Sequence, residues 1–330
     1  MPAGLYLLEP HCFDDIYGPE ERAAISRSLS MREKLLSPRN YLASDEIFPD
    51  VEIILSGWGM VPMDAGFFAR FPKLRAVFYG AGSVKHFVTP LTWKHGVRVA
   101  SAYAANAIPV VEFTLTQILS ALKQTWQEAL YIRQHHKFRA QHRPPGAYRT
   151  TVGLISLGMI GRLVAERLKT FELRIVAYDP FLSLEEAAQI GVGISSLEQL
   201  FIASDVVSCH TPLLPETEGM LRGHHFASMK PNATFVNTSR GRVVNEPEMI
   251  EVLKMRPDLF AILDVTADEP PVCGSPLYAM ENVILTPHMA GSLGMERRRM
   301  GSYMVEELGR FLRDEPLRYE MTGIRIANMA

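Results

Sequence analysis

From residue 150 onward, short apolar runs return at 150–155, 174–178, 206–209, 234–236, 261–263 and 283–285, with amphipathic stretches between them. Such alternation constrains a chain to a parallel α/β sheet, because each strand needs a crossover long enough to re-enter the sheet in the same direction. The series supplies the strands that a doubly wound nucleotide-binding domain requires. Similar runs at 5–8, 51–55, 76–79 and 97–100 predict a second layer of the same kind. Between the two sets, Pro109 fits a first helical position ahead of Val111, Leu115, Ile118, Leu119, Leu122 and Trp126, an apolar stripe on a long helix that can bridge two domains. Ser195 with Glu198 resembles a capping box ahead of the helix that precedes Asp205. The stretch 295–313 is again helical in pattern, and its tail is expected to return to the first domain. The fold class is therefore α/β: two Rossmann-like or flavodoxin-like parallel-sheet domains with a cleft between them. The expected division is 1–107 with 306–330 as a discontinuous substrate-binding domain, and 108–305 as the dinucleotide-binding domain.

One junction in this series is chemically specific. The run Thr150-Thr151-Val152-Gly153-Leu154-Ile155 opens into Ser156-Leu157-Gly158-Met159-Ile160-Gly161 and a helical pattern, and Asp179 closes the next run, Arg174-Ile175-Val176-Ala177-Tyr178. A dinucleotide turn needs a tight bend, a close backbone approach to pyrophosphate, and a small residue where helix meets strand. Gly158 and Gly161 meet the last two needs, whereas Ser156 stands where the first glycine is usual. A left-handed backbone there costs a non-glycine residue about 1–2 kcal/mol. Ser156 is therefore expected in an ordinary right-handed or extended conformation, with Gly158 making the close approach. Asp179 can accept both ribose hydroxyls. The plain alternative is a βα turn that binds nothing.

Composition excludes several classes. Lysine and arginine total 34 against 36 aspartate and glutamate, a net charge of −2, so nothing in the balance favours nucleic acid or an anionic membrane. Cys12, Cys209 and Cys273 form no metal or redox spacing, which fits a reducing compartment without disulfides, and no metal site is expected. Residues 1–10 have a short apolar stretch without a basic region, too little for a signal peptide. No uninterrupted apolar run approaches the roughly 20 residues needed to span a bilayer. The expected location is the cytoplasm. The stretch 131–150 carries Arg133, Lys137, Arg139, Arg143 and Arg149 with His135, His136 and His142 and no acidic residue. Pro144-Pro145-Gly146 breaks it, so it reads as a solvated arm or subunit contact ahead of a nucleic-acid patch.

Downstream of the turn, Arg240, Glu269 and His288 follow strand ends, where open α/β sheets place ligands. The planar fork of Arg240 suits bidentate binding of a carboxylate, with Arg242 as an equally charged neighbour for comparison. His288 follows Thr286-Pro287 in an apolar loop, and an imidazole can transfer a proton near neutral pH. A carboxylate hydrogen-bonded to that imidazole would fix its tautomer. Glu269 is one candidate, and Asp268 and Asp264 compete with it on spacing alone. A surface salt bridge for Arg240 and a structural hydrogen bond for His288 are the plain alternatives.

The ordered set of motifs resembles a known family over about residues 71–313. It comprises Gly80-Ala81-Gly82, Asn106 with Val111-Glu112, the Ser156 turn, Tyr178-Asp179-Pro180, the run 205–213, Asn237 to Gly241, Leu263-Asp264-Val265, Glu269-Pro270 and Thr286-Pro287-His288. These are similar to the D-isomer-specific 2-hydroxyacid dehydrogenases, which include phosphoglycerate dehydrogenases and glyoxylate/hydroxypyruvate reductases. The resemblance implies that Arg240 binds the substrate carboxylate and carbonyl, and that His288 is the acid/base with Glu269 as partner. For NAD, it implies Ser156, Leu157, Gly158, Met159, Ile160 and Gly161 in the turn, and Asp179 with Pro180 after the next strand. It further implies His210, Thr211, Pro212, Thr217, Thr238, Ser239 and Gly291 along the cofactor, with Asp264 on the nicotinamide carboxamide. A homodimer through the nucleotide domain is implied as well.

Two departures qualify the resemblance. One is Ser156. The other is Ser83-Val84-Lys85-His86, where the family commonly has a Val-Asp-Asn type continuation. Backbone amides at Gly82 and Ser83 can still hold a carboxylate, and Trp58 is a candidate to cover the substrate, but the rim does not name it. The expected reaction is reversible reduction of a small 2-keto acid to a D-2-hydroxy acid. NADH is expected over NADPH, because Asp179 repels a 2′-phosphate. The alternative is a non-catalytic NAD(H) sensor on the same fold, similar to the corepressors that resemble this family.

Overall fold

A strand forms at each of the apolar runs, two more form at Ser30–Leu36 and Gly193–Ile194 outside them, and the paired strands among the described residues are all parallel. The computed structural model describes residues 1–140 and 143–327, with only the backbone of Lys34. His142 of the basic stretch lies outside the described residues. The chain divides into two units, Met1–Ala107 with the segment from Ser292 onward, and Ile108–Gly291.

In the first unit, β1 (Ala3–Leu7), β2 (Ser30–Leu36), β3 (Val51–Ser56), β4 (Ala76–Tyr79) and β5 (Arg98–Ser101) form a sheet in the order β2-β1-β3-β4-β5. The period of two along a strand sends Leu5, Ile54 and Val77 into a core with Phe67 and Phe71. It sends Tyr6, Ile53, Leu55 and Phe78 to the other face, against Ile16, Met300, Met304 and Phe311. That second face sets the unit boundary. The helix Glu296–Leu312 buries Met300, Met304, Leu308 and Phe311, so the chain rejoins this unit at Ser292 and not at 306. The fully buried Glu307 then accepts the Arg318 and Tyr319 amides at 3.2 and 3.0 Å, turning the tail beside β5.

In the second unit, β6 (Tyr148–Ile155), β7 (Glu172–Tyr178), β8 (Gly193–Ile194), β9 (Val206–Cys209), β10 (Thr234–Asn237), β11 (Phe260–Leu263) and β12 (Val283–Leu285) lie in the order β12-β11-β10-β9-β6-β7-β8. The order reverses between β6 and β9, where doubly wound sheets take ligands beyond their carboxyl ends. Two local expectations change. The helix Tyr103–Leu122 starts well before Pro109, which sits inside it, because the alanine-rich 104–107 stretch is itself a good helix former. The cap of the helix Leu197–Ala203 is Ser196, since the Ser195 amide is committed to the Ala177 carbonyl at 2.9 Å.

By length and mean hydropathy, 1.3, the helix Tyr103–Leu122 matches a membrane span, but 56% of it is buried in the protein. Val111, Ile118 and Leu122 pack under β6, with Leu115, Leu119 and Trp126 alongside, which makes it a core helix. In the basic stretch, Arg139 pairs with Glu128 at 3.0 Å and its guanidinium lies 4.5 Å from the Tyr131 ring centre.

The helix Glu296–Leu312 supplies an internal comparison. A Cβ at Gly301 would lie 1.8 Å from the Ile16 carbonyl oxygen, whereas one at Gly309 would meet only the mobile end of Arg313 at 3.2 Å. Gly301→Ala is expected to destabilise by about 1–3 kcal/mol, and Gly309→Ala to stay within about 1 kcal/mol of the parent. Urea denaturation of both variants checks the difference, and equal stabilities would contradict this packing.

Candidate active site

The dinucleotide turn begins where β6 ends. Ser156 has φ +70, a left-handed backbone, which overturns the expectation of an ordinary conformation. The Ser156 amide donates to the Tyr178 carbonyl at 2.7 Å, and its Oγ lies 2.9 Å from Thr211 Oγ1 after β9. Gly161 meets its expected need, because a Cβ there would lie 2.2 Å from the Ser156 carbonyl oxygen. A Cβ on Gly158 would meet nothing within 4 Å. Gly158 begins the helix Met159–Leu168 without any side-chain cap, leaving first-turn N–H groups available to an anion.

Asp179 has two tasks already. Its Oδ2 accepts the Leu157 amide at 2.8 Å and its Oδ1 accepts the Phe181 amide at 2.9 Å. A carboxylate offers about four acceptor positions, so capacity remains for ribose hydroxyls. His210 follows β9 with Nε2 3.1 Å from Ser208 Oγ, while its Nδ1 is sealed from solvent and has no partner. An unpaired buried polar group of this kind costs about 1–3 kcal/mol. Thr217 Oγ1 donates to the Pro212 carbonyl at 2.6 Å and accepts the Leu214 amide at 2.8 Å, which shapes the loop after β9. Thr238 is buried with its hydroxyl 2.7 Å from Thr114 Oγ1, a tie to the long helix. The open space at Gly158, the uncapped helix start and the orphaned His210 nitrogen all flank the reversal of strand order. Together they fit a dinucleotide.

Beyond β10, Asn237 builds the next loop. Its Oδ1 accepts both the amide and the hydroxyl of Ser239, at 3.0 and 2.9 Å, and its Nδ2 donates to the Arg240 carbonyl at 3.1 Å. Gly241 lets this loop press on the next one, since a Cβ there would lie 2.0 Å from the Thr266 carbonyl oxygen. Arg240 is partly buried, with Nη1 donating to the Ser239 carbonyl at 2.7 Å. Burial pulls its guanidinium below its ordinary value, and the Glu269 charge opposes that pull. Arg242 points outward, to the Ala267 carbonyl at 3.1 Å and Asp268 at 3.4 Å. Both arginines line a hollow of about 270 Å³ with Leu213, Gly241, Thr266, Ala267, Asp268 and Glu269.

The three competing carboxylates separate cleanly. Glu269 Oε2 lies 2.6 Å from His288 Nδ1. Asp268 takes Arg242. Asp264 is buried, with Oδ1 accepting the Thr286 hydroxyl at 2.5 Å and the Met289 amide at 2.9 Å, and Oδ2 accepting the Ala290 amide at 2.9 Å. Within this unit, Asp264 thus secures the 286–290 loop, while its backbone carbonyl accepts the His288 amide at 3.0 Å. His288 itself is left-handed, φ +49. Leu213, Thr266 and Ala267 were not singled out from the sequence, although Thr266 lies inside the Asp264–Glu269 run, where strand-end position was the available signal.

In the first unit, the Gly82 carbonyl accepts Ser101 Oγ at 2.5 Å, and the Gly82 and Ser83 amides have no partner among the described residues. Trp58 packs against both cores of that unit, with the Arg297 guanidinium 5.0 Å from its ring centre. His86 lies against Tyr79 and Phe87, and burial lowers its pKa.

A family model described as D-isomer specific 2-hydroxyacid dehydrogenase, NAD binding domain, matches residues 115–290. The D-3-phosphoglycerate dehydrogenase of Mycobacterium bovis is 32% identical over 246 residues, covering 74% of this chain and 46% of that protein. The chain thus spans about half the length of the phosphoglycerate dehydrogenases it matches. The glyoxylate reductase of Korarchaeum cryptofilum is 33% identical over 259 residues, 77% of this chain and 78% of that protein. A solved D-isomer specific 2-hydroxyacid dehydrogenase from Xanthobacter autotrophicus Py2, in complex with NADPH and MES, aligns with a TM-score of 0.75 at 26% identity, over 98% of this chain and 99% of that one.

Burial holds the His210 imidazole down at about 4, against an ordinary 6.5. Between those values the unfolded chain binds a proton that the folded chain refuses, so stability falls as pH is lowered through that window. His210→Gln is expected to flatten the fall between pH 7 and pH 5 in urea denaturation. An unchanged slope would show that the ring is not held neutral by burial.

Proposed function

Because the chain belongs to the D-isomer-specific 2-hydroxyacid dehydrogenases, we propose that it reduces a small 2-keto acid reversibly to a D-2-hydroxy acid with NADH. The observation that carries this reading is that Arg240 and Glu269 line one hollow while Glu269 pairs with His288, the three residues following different strand ends of one unit. The turn 156–161, Asp179 and the 210–212 segment would hold the cofactor. When bound, NADH supplies a hydride to the carbonyl carbon.

The chain's own groups do the rest. Arg240 keeps its charge in a partly dehydrated setting, where a planar fork pairs strongly with a carboxylate. Glu269 occupies His288 Nδ1, so Nε2 is the atom left to protonate the carbonyl oxygen, and in the reverse direction to accept the alcohol proton. Trp58 and the unpartnered Gly82 and Ser83 amides are assigned to substrate contact in the same proposal. The preference for NADH rests on Asp179, whose carboxylate repels a 2′-phosphate while its spare acceptor positions suit ribose hydroxyls.

A panel of glyoxylate, hydroxypyruvate, pyruvate and bulkier 2-keto acids, run with NADH and NADPH side by side, tests the reading. On the best substrate, Arg240→Ala is expected to lower kcat/KM about 10²–10³-fold, and Arg242→Ala less than about fivefold. His288→Ala should lower kcat about 10²–10⁴-fold with NADH affinity retained. Undiminished turnover in His288→Ala would sink the mechanism, and equal losses at the two arginines would mean the wrong one is assigned. Tight NADH binding with no turnover on any acid would reassign the protein as a sensor.

A further inference from the structure

Ser156 pays a conformational penalty that glycine would avoid, yet its side chain is not idle. The last backbone pairing between β6 and β9 joins Ile155 to Cys209, followed by the His210 amide donating to the Ile155 carbonyl at 2.9 Å. Just past that point, Ser156 Oγ and Thr211 Oγ1 sit 2.9 Å apart, a side-chain rung where the strand order reverses. Thr211 is buried, two residues past the buried end of β9, so this end of the rung sits on the packed sheet. On the opposite side the turn is tied to β7, through the Ser156 amide on the Tyr178 carbonyl and the Leu157 amide on Asp179. The turn is thus tethered to both neighbouring strands, with Gly158 facing open space between the tethers.

We propose that Ser156 is a positioning residue whose hydroxyl, bonded to Thr211, clamps the dinucleotide turn to β9 and thereby sets affinity for the cofactor's diphosphate. This rests on the NAD reading above. The left-handed backbone is retained because the side chain that causes the strain also supplies the clamp. A glycine at 156 would relax the backbone and release the turn on its β9 side.

NADH affinity by fluorescence titration, and stability by urea denaturation, are measured for the full chain and for Ser156→Gly, Ser156→Ala, Thr211→Val, Thr211→Ser and the Ser156→Ala/Thr211→Val pair. Loss of one neutral hydrogen bond predicts about three- to tenfold weaker NADH binding in Ser156→Gly, Ser156→Ala and Thr211→Val. The double variant should be no weaker than the worse single, because one interaction is being removed twice. Thr211→Ser, which keeps the hydroxyl, should bind within about twofold of the parent. Ser156→Gly binding as tightly as the parent, or losses at 156 and 211 that multiply independently, would overturn the clamp. If the parent itself does not bind NADH, the cofactor reading falls. The urea data then decide the clamp alone: coupled losses at 156 and 211 support it, and additive ones reject it.

Discussion

The Asp264 carboxylate ties the ends of β11 and β12 together, and the geometry of the candidate site follows from that tie. It is buried and accepts one hydroxyl and two amides from the 286–290 loop. Hydrogen bonds to a charged acceptor contribute about 1.5–3 kcal/mol each, enough to offset the roughly 1–3 kcal/mol of holding a non-glycine residue such as His288 left-handed. Glu269 leaves the same β11 end as Asp264, so fixing the loop also fixes the distance between Glu269 and His288. A carboxylate that resemblance assigns to the cofactor thus has a structural task, whichever contacts it makes to a ligand.

Strain is distributed with the same logic. Gln124 and His136 flank the helix Thr125–His135 in left-handed conformations, and Asp314 follows the helix Glu296–Leu312 in the same way. Such residues at helix ends are ordinary. Ser156 and His288 are different, because each follows a strand end on the ligand-facing side of the second sheet. Each is held by hydrogen bonds from a neighbouring segment, which is the condition under which local strain persists at functional sites.

Much of this was legible in the sequence because burial writes directly into it. β1, β3, β4 and the inner strands of the second sheet are covered on both faces and read as apolar runs. β2 was not legible: it pairs only with β1 at a sheet edge, and Arg32, Glu33 and Lys34 give it no apolar period. The polar strand-end residues Arg240, Glu269 and His288 stood out because a buried strand has no use for them. Which carboxylate meets His288 did not, since Asp264, Asp268 and Glu269 differ only in where the β11 loop directs them. The backbone of Ser156 escaped for a related reason. Residue preference disfavours a left-handed serine, and only the tertiary contacts on either side show why the turn needs one.

The central claim is that one constellation of arginine, histidine and glutamate directs reduction at C2 of a 2-keto acid. Its most direct test is to incubate the protein with NADH deuterated at both C4 positions and pyruvate or hydroxypyruvate, then to determine both the position of the deuterium and the configuration of the product. Deuterium at C2 of the D-2-hydroxy acid is the result this account predicts. An L-configured product, or a product without label despite bound NADH, would contradict it.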